Sequence, residues 1–232
     1  MFPRQQSHKK PVTDSPPGWV WWGTLVGVGS VLLVVMGGAW WLGQGGADPS
    51  VAGTLSWEDM RFDWAQGPQQ ELAPGAGMWY TAGAVPLLPG DFTLTVQARL
   101  TPGSDPGAAW GVWVELEDGA RVLYAISGDG YVTTRRCDFP LLAEIEGEIE
   151  RCPAQRPEWR WMPYNRLHGP GFANRVTLHR ETQDSVRLRL NDERLGLARL
   201  DLSGRWGLWW RGGRETAAIL IWERAALYDG SY

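Results

Sequence analysis

The sequence predicts a mainly β protein: an antiparallel β-sandwich or barrel preceded by one transmembrane α-helix. The helix is indicated by 24 residues without a single charge, at 19–42. Beyond it, many short runs alternate apolar and polar residues, which is the pattern of half-buried strands. Turn-forming Gly, Pro, Asp and Asn separate these runs, and no later stretch carries a long 3.6-residue period. Short strands joined by tight turns are typical of antiparallel sandwiches and barrels.

The composition limits the classes of function. The chain has 232 residues, which is enough for one sizeable domain and an anchor. Its net charge of −4 provides no basic surface, so a nucleic-acid partner is not expected. Two cysteines cannot form a disulfide-rich scaffold, and the fold must therefore depend on a hydrophobic core.

The predicted membrane helix occupies 19–42 and has the lipid bilayer as its partner. A helix of that length covers about 36 Å, enough to cross a hydrocarbon core about 30 Å thick. Tryptophans lie at both ends of the run, where indole rings favour the headgroup layer. Arg4, Lys9 and Lys10 precede the run, and Asp48 is the first charge after it. Because positive charge stays inside, the N-terminus is predicted to be cytoplasmic and the C-terminal domain extracytoplasmic, in a single-pass protein of the cell membrane.

Two alternatives concern this helix. It could be a signal peptide cleaved near 45–47, although the apolar run exceeds the usual 7–15 residues of such peptides. Gly23 and Gly27 are four residues apart, a spacing that lets a second helix approach closely. The other interpretation is that glycine is simply common in membrane helices.

Four regions follow from these patterns. Residues 1–18 are a polar cytoplasmic tail, 19–42 the transmembrane helix, 43–54 a flexible linker rich in Gly, and 55–232 the β-sandwich domain. The predicted strands share alternation and flanking turn residues, and they are 92–100, 108–117, 121–127, 130–136, 174–180, 185–190, 195–201 and 216–228. Asp118-Gly119, Asp129-Gly130 and Asn191-Asp192 are predicted tight turns.

The order of these runs resembles the concanavalin A-like, or laminin-G-like, jelly roll, in its 3-keto-disaccharide hydrolase-like version. The resemblance covers about 90–228, and the residues that carry it are Gly111, Asp129-Gly130-Tyr131, Asn174-Arg175-Val176, Leu188-x-Leu190-Asn191-Asp192 and Gly204-x-Trp206-Gly207-Leu208. It implies an antiparallel β-sandwich. It implies no single function, because this fold serves lectins, glycanases, adhesion modules and spacers. The segment 137–173 is enlarged relative to the family, and insertions often carry individual function.

Both cysteines lie in this enlarged segment. Outside the cytoplasm, Cys137 and Cys152 are expected to form a disulfide, which stabilises by about 3 kcal/mol. A zinc site needs more ligands at suitable spacing, and only His168 and His179 lie beyond the N-terminal tail. No metal site is predicted.

Between the cysteines, four glutamates alternate with other residues: Glu144, Glu146, Glu148 and Glu150. In an extended chain they form an acidic ridge that could hold calcium or meet a basic partner. The alternative is a solvated edge whose like charges discourage strand pairing. Calcium has no other support in the sequence, and no cofactor is predicted.

Catalytic patterns are weak. Glu115 and Glu117 share a strand face and come nearest to the carboxylate pair of glycanases with this fold, but a glycosidase needs a defined separation and one raised pKa. No Ser/His/Asp or Cys/His order is convincing, since His168 lies in a loop rich in Pro and Gly and His179 on a predicted strand. The chain is therefore predicted not to be an enzyme.

Eleven tryptophans follow the anchor. Alternation places Trp110, Trp206 and Trp210 toward the core, whereas Trp113 and Trp209 fall on the opposite faces. Trp159 and Trp161 stand in the enlarged segment. The residues predicted to form an exposed face for a glycan or a protein partner are Trp113, Trp159, Trp161 and Trp209.

The main functional prediction is a membrane-anchored, non-catalytic interaction module, an accessory subunit of a larger membrane-protein complex held through its helix and sandwich. The alternative is a lectin-like surface protein that binds polysaccharide, and a second alternative is a glycoside hydrolase. The short linker favours the subunit, because a glycan receptor gains from reach.

Overall fold

The computed structural model describes residues 18–43, 51–81, 85–138, 149–155, 160–182 and 185–230. The chain divides into two compact units, Met1–Asp48 and Pro49–Tyr232. The first unit contains one helix, α1, over Gly18–Gly43, which confirms the predicted helix. Across the described ranges, however, no helix is both long and apolar enough to cross a membrane, and the predicted span gains no support.

Gly23 and Gly27 both lie in α1. A Cβ atom built on Gly27 would meet no other atom within 4 Å. The packing of a second helix against this pair stays a prediction.

The second unit is built of β-strands. In the described part of the chain the strands are β1 Thr54–Asp59, β2 Gln69–Leu72, β3 Gly77–Thr81, β4 Phe92–Leu100, β5 Ala109–Leu116, β6 Arg121–Ser127, β7 Tyr131–Cys137, β8 Met162–Pro163, β9 Asn174–Thr182, β10 Ser185–Leu190, β11 Glu193–Arg199, β12 Leu202–Arg211 and β13 Ala218–Asp229. Short 3-10 helices occupy Asp63–Ala65 and Ile149–Arg151. All eight runs predicted as strands form strands, with boundaries that move by at most two residues.

These strands form two antiparallel sheets. Sheet I has the order β1-β13-β4-β9-β10-β11, and β2 also pairs with β13. Sheet II has the order β3-β12-β5-β6-β7-β8. The predicted β-sandwich is therefore confirmed, with strands such as β4 and β9 brought together from positions about 80 residues apart in the chain.

The core lies between the sheets, as the alternation predicts. On β4, Phe92, Leu94 and Val96 are buried in it. On sheet II, Trp110 and Trp206 are buried in the same core. Burying apolar area at about 25 cal/mol per Å² is the main stabilising contribution to such a fold.

The predicted turns also form. Asn191 and Asp192 have φ of 48° and 72°, the left-handed pair that a two-residue hairpin of type I′ requires. Gly119 and Gly130 have φ of 82° and 90° at the other two turns. Since left-handed backbone suits glycine, the turn signals in the sequence have a direct steric basis.

Candidate functional site

The face of sheet II that points away from the core carries a second buried apolar cluster. It combines side chains of three strands with one residue of the enlarged segment, and its members are Ala109, Trp113, Leu123, Ala125, Ile149 and Trp209. Trp79 and Trp161 pack against this cluster. The chain that follows β7 therefore returns over sheet II and removes the middle of this face from water.

Trp113 and Trp209 are not exposed, in contrast to the prediction. They lie on the predicted face, opposite the core, but both side chains are 0% exposed within the cluster that contains Ile149. The Trp113 indole N–H donates to the carbonyl oxygens of Tyr80 and Leu208 at 3.1 and 3.2 Å. Alternation specifies which face a side chain occupies, but not what else covers that face.

Two connections fasten the enlarged segment to sheet II. The predicted disulfide between Cys137 and Cys152 is present. Arg135 of β7, which is buried, donates from Nη1 to the Cys152 carbonyl at 3.0 Å and from Nη2 to the Arg160 carbonyl at 2.6 Å. Hydrogen bonds from a charged group are about twice as strong as neutral ones. The same guanidinium thus holds the segment at two places.

Beside the buried cluster lies a groove of about 640 Å³. That volume falls within the range of small-molecule sites, about 300–1,000 Å³. Two aromatic rings line it, Tyr131 and Trp161. Its charged lining consists of Asp105, Asp129, Glu150, Glu215, Arg211 and Arg214.

One wall of the groove is formed by Glu150, Trp161 and Arg211. The Arg211 guanidinium pairs with the Glu150 carboxylate and lies 5.7 Å from the centroid of the Trp161 ring, within cation–π distance. Partial burial acts to raise the pKa of Glu150, but the hydrogen bond and the charge of Arg211 outweigh it, and the pKa is lowered. The wall therefore combines a half-buried ring with a fixed pair of opposite charges.

A second wall is organised by Asp105, in the loop before β5. Its carboxylate accepts backbone N–H bonds from Glu215, Thr216 and Gly107 at 3.0, 3.2 and 2.8 Å. These donors hold the pKa of Asp105 below its usual value. The aspartate therefore fixes the loop before β13 against the loop before β5.

The turn between β6 and β7 completes the groove. The Ser127 hydroxyl donates to the Asp129 carboxylate, and the Tyr131 backbone N–H donates to Ser127 Oγ at 3.2 Å. The Tyr131 residue is 38% exposed beside them. A carboxylate and an accessible phenol are thereby held by the turn that Asp129-Gly130 predicts.

The described lining of the groove is acidic. Four carboxylates (Asp105, Asp129, Glu150 and Glu215) face two guanidinium groups (Arg211 and Arg214), a formal excess of two negative charges. Carboxylates accept hydrogen bonds and guanidinium groups donate them, so the groove offers both partners to a ligand rich in hydroxyl groups.

The proposed glycosidase pair does not contribute to this groove. Glu115 accepts a hydrogen bond from Ser203 at 3.2 Å and pairs with Arg205 at 3.5 Å, and neither Glu115 nor Glu117 lines the groove. A glycosidase also needs a general acid with a raised pKa. In the groove, Asp105 and Glu150 have lowered pKa values, which is the opposite tendency.

Some of the predicted site residues meet in the groove and others do not. Trp161 and Glu150 line it, although they were predicted as parts of different features. Glu144, Glu146, Glu148 and Trp159 lie outside the described residues. Among the residues that are described, no group of three or more His, Cys, Asp or Glu side chains could hold a metal ion.

Sequence reasoning missed Asp105, Asp129, Tyr131 and Arg211 as site residues. Asp129 and Tyr131 were noticed only as part of a turn. Arg211 is the last residue of β12, and Asp105 lies in the loop before β5. A signal was present in the clustering of charged residues at strand ends, but only the sheet order shows which ends meet.

Comparison with known proteins gives likenesses in fold. No protein-family model matches the sequence, and a search of curated proteins finds no similar sequence. Among solved structures, the chain is similar to carbohydrate-binding module CBM66 from Bacillus subtilis, with 12% identity, a TM-score of 0.46, and 77% of this chain and 96% of that chain covered.

Two further structures show the same level of similarity. The carbohydrate recognition domain of Emp46p in its metal-free form has 14% identity and a TM-score of 0.49, over 71% of this chain and 84% of that chain. Sheep galectin-11 in complex with glycerol has 10% identity and a TM-score of 0.41, over 67% of this chain and 98% of that chain. The chain thus has jelly-roll-like β-sandwich neighbours, but similarity this remote carries no argument about its ligand.

Proposed function

We propose that the β-sandwich is a carbohydrate-binding module and that the groove beside the enlarged segment is its binding site. The observation that carries this proposal is the wall in which the half-buried Trp161 ring stands beside the Glu150–Arg211 pair. Sugars present an apolar ring face and a rim of hydroxyl groups. A flat aromatic surface with fixed donors and acceptors around it matches both.

The remaining lining supports the same ligand class. Tyr131 supplies a second accessible ring, and Asp105 and Asp129 supply carboxylate acceptors that are already held in place by hydrogen bonds. Groups that are fixed before binding lose little conformational entropy when a ligand arrives. The groove is therefore suited to a polar ligand of low charge.

The disulfide supports the proposal that the β-sandwich acts outside the cytoplasm. Disulfides persist in oxidising compartments and are rare in the cytosol. Cys137–Cys152 closes the segment that carries Glu150, so the groove itself depends on that chemistry. Extracytoplasmic glycans would be the accessible ligands there. The accessory-subunit interpretation gains no support from the described residues and stays a prediction.

The proposal is tested by presenting purified full-length protein to an array of neutral, amino and anionic oligosaccharides, followed by calorimetric titration of every positive. We expect binding by neutral sugars, and a loss of at least about tenfold in affinity for Trp161→Ala, equivalent to about 1.4 kcal/mol. Trp22→Ala is the matched control, because Trp22 is 72% exposed on α1, outside the sandwich.

The outcome separates the alternatives. An array without a positive sugar, or binding that Trp161→Ala leaves unchanged, contradicts the proposed site. Product release during incubation with a bound oligosaccharide would identify an enzyme instead. Circular dichroism of each variant confirms that lost binding does not reflect lost fold.

A further inference from the structure

The groove does not end at its own lining. It shares Ser127 with a narrow cleft that also contains Gly128, Pro170 and Phe172. This cleft in turn shares His168 and Asn174 with another cavity, of about 360 Å³. Neighbouring depressions therefore share lining residues. The cleft itself has a volume of only about 10 Å³, so a ligand that reached both larger cavities would pass over the exposed Phe172 ring and not through the cleft.

They follow one end of the sandwich. β6 ends at Ser127, β9 begins at Asn174, and β10 ends at Leu190. The narrow cleft is lined by strand ends of both sheets, Ile126 of β6 in sheet II and Leu100 of β4 and Asn174 of β9 in sheet I. The depressions consequently cross from sheet II to sheet I over the rim of the molecule.

The loop at the middle of this path is held firmly. The Asn174 amide accepts from the His168 backbone N–H at 2.8 Å and donates to the His168 carbonyl at 2.7 Å. Gly171 donates its backbone N–H to the Leu100 carbonyl at 2.7 Å. An ordered loop of this kind presents its side chains in fixed positions.

Phe172 stands on this loop with 68% of its surface exposed. A single exposed apolar side chain is ordinary by itself. Here the ring lines the narrow cleft between two polar cavities, on a backbone fixed by three hydrogen bonds. The Phe172 ring is therefore an exposed apolar surface between the groove and the cavity of about 360 Å³.

The cavity on the side of sheet I, defined here as the far cavity, has its own polar lining. Arg175 pairs with Asp192, and Arg166 pairs with Glu193 at 3.0 Å. The Nε–H of Arg175 is buried without a hydrogen-bond partner. Gln97 also lines the cavity. Two guanidinium groups balance two carboxylates, so this cavity is formally neutral and rich in donors and acceptors.

We infer that the groove, the exposed ring of Phe172 and the far cavity form one track across the surface for a linear, neutral oligosaccharide of several sugar units. This inference rests on the proposed function and extends it from one site to a chain of subsites. The Trp161 wall binds one end of the oligosaccharide, Phe172 stacks on a middle unit, and the far cavity binds the hydroxyl groups of the other end. A ligand of one or two units occupies the groove alone.

The test is a length series. Calorimetric titrations use oligomers of two to six units of β-linked glucose, α-linked glucose, β-linked xylose and β-linked mannose with the full-length protein. For at least one series, we expect affinity to rise about tenfold from the shortest to the longest oligomer, which is equivalent to about 1.4 kcal/mol.

Two surface variants locate the subsites. Phe172→Ala is expected to lower the affinity for six-unit oligomers about tenfold and to leave the affinity for two-unit oligomers unchanged. Phe172→Tyr, which keeps an aromatic ring, is expected to leave both affinities unchanged. Arg166→Ala, at a side chain 68% exposed, is expected to weaken only the longest oligomers. Both side chains are exposed, so the variants keep the fold.

The results distinguish failure of the track from failure of the proposed function. The track is overturned if affinity depends on Trp161 but not on oligomer length. It is also overturned if Phe172→Ala lowers the affinity for two-unit and six-unit oligomers equally. Either result leaves the groove as the proposed binding site. If no oligomer of any length binds in the four series, the track is overturned. If no sugar on the oligosaccharide array binds either, the groove is rejected as a carbohydrate site as well.

Discussion

Glu150 and Arg211 form an ion pair although 61 residues separate them in the chain. Glu150 stands on the short helix beside Cys152, and Arg211 is the last residue of β12, so the pair ties the enlarged segment to the end of the strand next to the edge of sheet II. The groove depends on this connection for one of its walls.

The first prediction concerns acid. The pKa of Glu150 lies below its ordinary value of 4.5. A carboxylate with a lowered folded pKa contributes stability above the ordinary pKa, and that contribution is lost as the pH falls through the folded value. We expect the free energy of unfolding to fall as the pH drops below the ordinary carboxylate pKa of 4.5, with about 0.5–1 kcal/mol of the loss due to this pair.

Urea unfolding at several pH values measures this effect. Glu150→Gln is expected to be less stable than the native chain at pH 7 and to show a flatter pH dependence. Glu117→Gln, which alters a carboxylate outside the groove, serves as the control. A pH dependence identical in Glu150→Gln and the native chain would contradict the assigned role of the pair.

Removal of the disulfide is the second prediction. The double variant Cys137→Ser, Cys152→Ser is expected to lose about 3 kcal/mol of stability, since the bridge closes a loop of 15 residues. Sugar binding is expected to weaken as well, because Glu150 and Trp161 lie in the enlarged segment that the bridge fastens to sheet II. Denaturant unfolding measures the loss of stability, and calorimetric titration of oxidised and reduced protein measures the loss of sugar affinity. Reduced protein that binds as tightly as oxidised protein would show that the groove does not need the bridge.

A third prediction tests the packing beneath the groove. A Cβ atom at Gly207 would lie 2.1 Å from the Tyr80 carbonyl oxygen and 2.5 Å from Cζ2 of Trp113. Gly207→Ala is therefore expected to destabilise the fold by about 3 kcal/mol, because overpacking displaces a buried ring. Gly90→Ala is the matched control, since its Cβ would meet no atom within 4 Å. Thermal unfolding compares the two, and equal melting temperatures would contradict the close packing of Trp113 on Gly207.

The fourth prediction concerns the charge of the ligand. With two excess negative charges, the groove is expected to bind uronic-acid and sulfated sugars at least about tenfold more weakly than neutral ones of the same length, since like charges are repelled. Asp129→Asn should narrow that difference. Calorimetric titrations at two salt concentrations measure the difference in affinity between neutral and anionic sugars. Tighter binding of an anionic sugar than of its neutral counterpart would contradict the proposal that the acidic lining sets the selectivity.

The sequence predicted the sandwich because its signals are local. Alternation over 92–100 identifies the core face of β4, and Asn191-Asp192 identifies the turn between β10 and β11, without knowledge of any partner strand. The site is different, because it is assembled from strand ends and loops that are far apart in the sequence. Trp113 has the same alternation whether or not Ile149 covers it, and only the three-dimensional structure shows that it is covered.

The groove could be predicted only in fragments. Trp161 and Glu150 stood out as an aromatic and an acidic residue in the enlarged segment, but their partner Arg211 is an ordinary charged residue at a strand end. Asp105 meets the loop before β13 through bonds that span 110 and 111 residues. Contacts across such separations follow from the order of strands in the sheets, which local patterns do not specify.

The way Arg135 and the disulfide fasten the enlarged segment has a consequence for how this protein can change over evolution. The residues between Cys137 and Cys152 belong to a loop whose two ends are joined directly, and Arg135 secures the chain beyond it at Cys152 and Arg160. Because both fastenings lie at its ends, changes of length inside that loop are expected to leave the register of β6 and β7 intact. A protein with this arrangement can acquire a different ligand preference by altering a few residues there, while the sheets beneath keep their sequence.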